Sequence, residues 1–237
     1  MTKALGWLAS LSLLAGLVMA FGELIHLGSF LRSLIGPEAG ALLLAPREVT
    51  QGNVQRIMYL HVPLAITGEY LACPIILIAS IRYLWKRSER ADRIAHASAE
   101  VGVLFMGLTI ATGSIWGKPT WGAWWTWDAR ITTVSILFLM FVAYLLLRAM
   151  TDEPERAARY AAVVGIILAL NVPLVHFSVY WWRTLHQPPS LLKPGPSTMS
   201  WSIWIPLFAN LVAYALLYVY FVAKRARLLR LEEEAAA

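Results

Sequence analysis

Six apolar runs, near residues 5–27, 61–82, 98–117, 131–150, 160–180 and 202–223, take up most of this 237-residue chain. Each is about 20 residues long, the length at which a helix crosses a hydrocarbon layer ~30 Å thick. Hydrocarbon offers a backbone no hydrogen-bond partners, so each run must satisfy its own N–H and C=O groups as a helix. A hydrophobic share of 59% with only 14% charge lies outside the range of soluble domains. The expected fold class is therefore an all-α integral membrane protein with about six transmembrane helices, a single membrane domain over 1–237, joined by short connections.

The basic residues set an orientation. The connections after the second and fourth runs and the two chain ends hold Lys3, Arg82, Lys86, Arg87, Arg90, Arg93, Arg148, Arg156, Arg159, Lys224, Arg225, Arg227 and Arg230, which is 13 of the 20 Lys and Arg. The other connections share Arg32, Arg47, Arg56, Lys118, Arg130, Arg183 and Lys193. Positive charge concentrates on the cytoplasmic side, which puts both termini in the cytoplasm. It also explains the net charge of +6 without a nucleic-acid partner. Val18-Met-Ala20 resembles a signal-peptide cleavage site, but the apolar run continues to Leu27. The single cysteine, Cys73, forms no disulfide within the chain, and no Cys-x-x-Cys-His is present for covalent haem attachment.

Parity then gathers the chemistry. His61 opens the second run, the stretch Trp116-Gly-Lys-Pro-Thr-Trp121-Gly-Ala-Trp124-Trp125-Thr-Trp127-Asp128-Ala-Arg130 leaves the third, and His186 follows the fifth. Connections after odd-numbered spans share one face, which the charge bias makes the outer one. Five of the eleven tryptophans fall between 116 and 130. If Trp121 to Asp128 is helical, Trp121, Trp124, Trp125 and Asp128 share one side. An aromatic belt at the lipid interface is the plain alternative, but belts supply one or two Trp per span end. A flat aromatic platform for a flat apolar ligand fits better, and haem is the natural candidate.

His61, with Pro63 suited to a first helical turn, can point out of the bilayer. His186 is held by a proline-rich loop, Gln187-Pro-Pro-Ser-Leu-Leu-Lys-Pro-Gly-Pro-Ser. Two such imidazoles can take the two axial positions of one haem iron. Its propionates would draw on Arg130, Arg56, Lys118 and Arg183 at the polar edge. Asp128, among indoles, needs a partner: Arg130, an indole N–H or a backbone amide. His176, inside the fifth run, is expected to make a structural hydrogen bond, with Asn171 or a hydroxyl on another helix. His26 is expected at the interface and His96 in a solvated basic loop. Glu69 and Glu100 lie inside or at the lip of a run. Three rival readings stay open on these residues: a haem permease, a cytochrome b-like electron-transfer subunit, and a structural subunit anchored by tryptophan.

The pattern Trp121-Gly122-x-x-Trp125-x-Trp127-Asp128-x-Arg130 resembles the tryptophan-rich WWD signature of haem-handling proteins of cytochrome c biogenesis. Gln51-Gly-Asn-Val-Gln-Arg56-Ile-Met-Tyr-Leu-His61-Val-Pro and His176-Phe-Ser-Val-Tyr-Trp-Trp-Arg-Thr-Leu-His186-Gln resemble the CcmC, or haem exporter protein C, family. That resemblance implies non-covalent haem b held at the outer, periplasmic face of the bacterial inner membrane. It also implies His61 and His186 as axial ligands, and Trp121, Trp125, Trp127 and Asp128 as WWD residues. It further implies delivery of haem to the periplasmic chaperone CcmE, with no evident catalytic constellation. The family's other partners are the ABC-type subunits CcmA and CcmB and the small protein CcmD.

Overall fold

The computed structural model describes residues 2–24, 27–191, 193, 195 and 199–236. His26 and part of the proline-rich loop lie outside them. Six helical stretches are long and apolar enough to cross a membrane. The first is α1 (Thr2–Phe21), followed by two short helices, α2 (Leu27–Ile35) and α3 (Pro37–Leu43). The second is composite: a 3-10 turn at Val54–Ile57, α4 (Met58–Thr67), a π-helical turn at Gly68–Ala72, and α5 (Cys73–Lys86). Then come α6 (Glu89–Trp121), α7 (Ala129–Ala149), α8 (Pro154–Trp181) and α9 (Trp201–Ala236).

Local sequence sets the ends. Ser88 caps α6, its hydroxyl accepting from the Ala91 amide at 3.3 Å, and Glu89 and Asp92 sit in the first turn where the helix dipole favours acid. The same helix stops at Gly122, whose φ of +78° closes the last turn with its amide on the Lys118 carbonyl at 3.0 Å. Asp128 caps α7 through the Ile131 amide at 2.8 Å, and Pro154 opens α8 at a position that needs no N–H.

The central helix is α6, which packs on α4 and α5, on α7 and on α9; α8 lies on α5 and α7, and α1 lies on α9. In lipid the helices gain nothing from hiding apolar surface from water, so close packing and polar contacts hold them together. At Gly102 an added Cβ would fall 2.3 Å from the Phe141 ring, so only glycine admits that contact of α6 with α7. Ala79, Ala91, Ala95, Ala158 and Ala162 form a second close seam. The Tyr218 hydroxyl, 2.6 Å from Ser98 Oγ, joins α9 to α6. On the periphery, Trp7, Leu8, Leu11 and Leu14 of α1 are exposed, an apolar outer face suited to lipid.

Several expectations change. The first connection is not short, since α2 and α3 occupy it. The third span does not end at 117 but runs on to Trp121. Pro119 lies inside the last turn, where it offers no amide to the Ile115 carbonyl, and the Thr120 hydroxyl bonds the Trp116 carbonyl at 2.8 Å. Residues 122–128 are not helical, so Trp121, Trp124, Trp125 and Asp128 do not form a helical face. Pro63 lies inside α4, because the helical path already starts at Val54. His96 is within α6, its side chain largely buried and 3.3 Å from Glu100, and so is not in a solvated loop.

Candidate functional site

At the end of the bundle opposite both termini, α4, the close of α6, the first turn of α7, the end of α8 and the loop beyond it enclose a cavity of about 290 Å³. His61, His186, Trp116, Trp121, Trp124, Trp125 and Arg130 all line it. Connections separated by more than a hundred residues meet here, as parity requires.

His61 does not point outward. Its ring turns into the bundle, with Nδ1 3.0 Å from the Thr109 carbonyl and 3.2 Å from the Thr112 hydroxyl of α6. A carbonyl can only accept, so Nδ1 carries the proton and Nε2 keeps its lone pair. Gly113 makes room for the ring: a Cβ there would stand 2.8 Å from His61 Cε1. Trp116 meets the imidazole edge-on at 5.8 Å and is itself held by its indole N–H on Gln51 Oε1 at 2.9 Å.

His186 repeats this arrangement with different parts. Its Nδ1 is 3.2 Å from Asp128 Oδ2, which also accepts from the Thr184 hydroxyl at 2.8 Å and the Leu185 amide at 3.1 Å. The carboxylate again fixes the proton on Nδ1 and leaves Nε2 basic. Such carboxylate–histidine pairs orient and strengthen metal-binding imidazoles. Asp128 thus caps α7 with one oxygen and ties down the loop after α8 with the other. Backbone amides are among its partners, as expected; Arg130 and indole N–H groups are not, among the described residues. Burial opposes its charge, but the hydrogen bonds from His186, the Ile131 amide and Thr184 outweigh it and hold the carboxyl well below the usual carboxylate range. Trp121 packs against the His186 ring at 4.7 Å.

The other candidates divide. Trp127 is 78% exposed and touches Trp125 edge-to-face at 5.3 Å without lining the cavity. Arg56 is buried away from the cavity, bonded to the Ala20 carbonyl, and so ties the second crossing to the first. Lys118 caps the end of α6 on the Gly122 carbonyl at 3.1 Å, and Arg183 is exposed; neither lines the cavity. Of the four basic residues, Arg130 alone does. Its Nη1 donates to the Val175 carbonyl at 2.8 Å, and its Nη2 lies 3.6 Å from Glu69 Oε2. His176 makes the expected structural bond, to the Tyr70 hydroxyl at 2.7 Å, while Asn171 bonds the Thr133 carbonyl at 3.2 Å.

Sequence reasoning missed the link between Asp128 and His186, the space at Gly113 and the pairing of Glu69 with Arg130. Asp128 and Glu69 each carried a signal, a carboxylate in apolar surroundings that needs a partner, but nothing local names the residue that supplies it. No cluster of three His, Cys, Asp or Glu that could hold a bare metal ion occurs among the described residues. Two imidazoles facing an aromatic cavity are a donor set that could hold an iron whose remaining positions come from a macrocycle.

The fold and the site define a multi-pass membrane protein with a two-histidine, tryptophan-walled cavity at one end of its bundle. Comparison with known families places it more narrowly. The profile of CcmC, heme exporter protein C, matches residues 4–237, and the chain belongs to that family. It is 43% identical over 189 residues to heme exporter protein C of Bradyrhizobium diazoefficiens, covering 79% of this chain and 72% of that one. Heme exporter protein C of Haemophilus influenzae is 36% identical over 194 residues, 82% and 78% of the two chains. The Escherichia coli protein of the same name is 37% identical over 165 residues, 68% and 67% of the two chains.

Proposed function

We propose that the protein handles haem for cytochrome c maturation. In this reading it holds haem b without a covalent bond in the two-histidine cavity and presents it to a CcmE-like chaperone at the periplasmic face of the inner membrane. The observation that carries this reading is the matched state of the two imidazoles. His61 and His186 line one cavity, and each has Nδ1 committed to an acceptor, which leaves both Nε2 atoms as ligands. Trp116 and Trp121 back the two rings, and Trp124 and Trp125 supply apolar wall.

Activity consists of binding and positioning. The chain holds the macrocycle by its iron and its apolar face and leaves an edge open to the acceptor, so the reacting groups meet already oriented. Both termini are cytoplasmic in this reading, and CcmA, CcmB and CcmD supply the rest of the complex. Absorption spectroscopy tests it, using detergent-purified protein from haem-replete cells beside His61→Ala and His186→Ala. A bis-imidazole spectrum in the parent that is lost or shifted in both variants is the expected result. A parent without haem, made together with its partners, would return the tryptophans to the lipid interface.

A further inference from the structure

The floor of the cavity holds a carboxylate that the two-histidine site does not explain. Glu69 lies in the π-helical turn of the second crossing and is 1% exposed, yet it lines the cavity. Neither of its oxygens has a hydrogen-bond partner among the described residues. The Arg130 guanidinium stands 3.6 Å away, close enough for charge attraction and too far for a hydrogen bond, because its other nitrogen is engaged by the Val175 carbonyl. A buried, unbonded carboxylate is costly to keep.

Other groups around Glu69 are few. On its own crossing are the Tyr70 hydroxyl, committed to His176 Nδ1, and the buried thiol of Cys73. Arg130 comes from α7 and His176 from α8, while Met106 and Thr109 on α6 carry no charge. Arg130 is therefore the one charge facing Glu69 among these groups, and among the described residues it is also the one Lys or Arg that lines the cavity and can meet an anionic ligand group. Glu69 stands eight residues below His61, about 12 Å along the helix axis, and both line the same cavity.

We propose that Glu69 is a proton-coupled positioning residue for the carboxylate end of haem: a propionate takes the Arg130 guanidinium, and Glu69 takes one proton from bulk water and donates it in a hydrogen bond to that propionate. This rests on the haem-site reading above. The charge balance requires it. Two carboxylates beside one guanidinium leave a net negative charge in a low-dielectric cavity, whereas one carboxylate, one carboxylic acid and one guanidinium are neutral. The bond formed is Glu69 O–H, the proton comes from solvent, and no electron moves. Haem capture is then linked to proton uptake, and the ligand is recognised by its acidic edge as well as by its iron.

The test titrates the purified protein with ferric haem and with haem whose propionates are methyl esters, between about pH 7 and 9, where unperturbed histidines are neutral. Binding is read from the bis-imidazole absorption, and proton uptake from a pH indicator in weak buffer. The parent is expected to take up close to one proton more per haem than Glu69→Gln does. Its haem affinity should fall with rising pH, approaching about tenfold per unit. Glu69→Gln with haem, and the parent with the ester, should both be nearly flat. Equal proton uptake by parent and Glu69→Gln would overturn the proposal, as would a parent whose response to pH is the same for haem and ester. The ester arm needs no substitution, so a Glu69→Gln protein that fails to fold leaves the test intact. Absence of a bis-imidazole band with either ligand at every pH overturns the haem site itself.

Discussion

At the end of the bundle that carries both termini, charged side chains close on one another. Arg148 holds Asp92 with two bonds of 2.6 and 2.8 Å, Arg225 grips Glu100 and reaches Glu232 at 2.9 Å, and Arg93 meets Glu233 at 2.7 Å. At the histidine end similar groups are left open. Among the described residues, both oxygens of Glu69 lack a hydrogen-bond partner, as do the Trp125 indole N–H and the Thr126 hydroxyl, and His61 and His186 each have a hydrogen bond at Nδ1 alone. One end spends its polar groups on holding helices together. The other holds them ready for something that is not part of the chain. Unpaired buried polar atoms also occur away from the cavity, at Ser80, Tyr144 and Asn210 among others, so what sets the histidine end apart is that its unpaired groups, on Glu69, Trp125 and Thr126, line one cavity.

The sharpest way to break this comparison is to remove a partner at the closed end. Arg148→Ala leaves Asp92 unpaired where both side chains are about 15% exposed, and loss of one member of a largely buried pair costs about 3 kcal/mol or more. A lower Tm in detergent with haem affinity unchanged is the expected result. Loss of haem binding in a variant that stays folded would show the two ends to be coupled.

At the open end the largest single effect short of the ligands belongs to Asp128. Asn is as good a helix cap as Asp, so Asp128→Asn keeps the start of α7 while removing the carboxylate that holds His186. Haem affinity is expected to fall about 10- to 100-fold, the usual range for a lost second partner of a metal-binding histidine, with Tm nearly unmoved. A fall in Tm without loss of affinity would make Asp128 a structural residue like those at the closed end.

Gly113→Ala probes the same end from α6. The added Cβ would press on His61 at 2.8 Å, whereas at Gly107 on the same helix a Cβ meets Phe138 at an ordinary 3.5 Å. Overpacking costs about 1–3 kcal/mol. Here it should appear as a roughly tenfold loss of haem affinity or a shifted absorption band, with Gly107→Ala silent. Equal effects from both would mean that α6 yields as a body and that His61 has no special claim on that space.

How much of this was legible beforehand follows from which interactions are local. Six spans, the shared end of His61, Trp116 to Asp128 and His186, and the hydroxyl partner of His176 come from run length, parity and the cost of a buried imidazole. Helix α2 escaped because its Leu27–Ile35 is shorter than a span and its apolar residues were absorbed into a connection. The imagined helix from Trp121 to Asp128 failed at one residue, Gly122, whose positive φ ends α6 before the indoles can share a face. Arg56 and Arg130 look alike in sequence, each beside a motif, yet one serves Ala20 and the other Glu69. Nothing local separates them, because their partners are contributed by other crossings.

The tryptophans give the smallest effect and the finest distinction. All five fall in one run, but four of them, Trp116, Trp121, Trp124 and Trp125, wall the cavity and Trp127 does not. Trp121, against His186 at 4.7 Å, is expected to show a clear loss of haem binding as Trp121→Phe, since the shorter ring withdraws support from the imidazole. Trp127→Phe should change haem affinity by less than about 0.5 kcal/mol, as an exposed side chain with one edge contact. Measured side by side, the pair separates a site from a belt. Two silent substitutions assign the run to lipid, and two equal losses extend the site over the whole loop. A loss at Trp121 alone places the boundary between cavity wall and exposed rim within six residues of one connection.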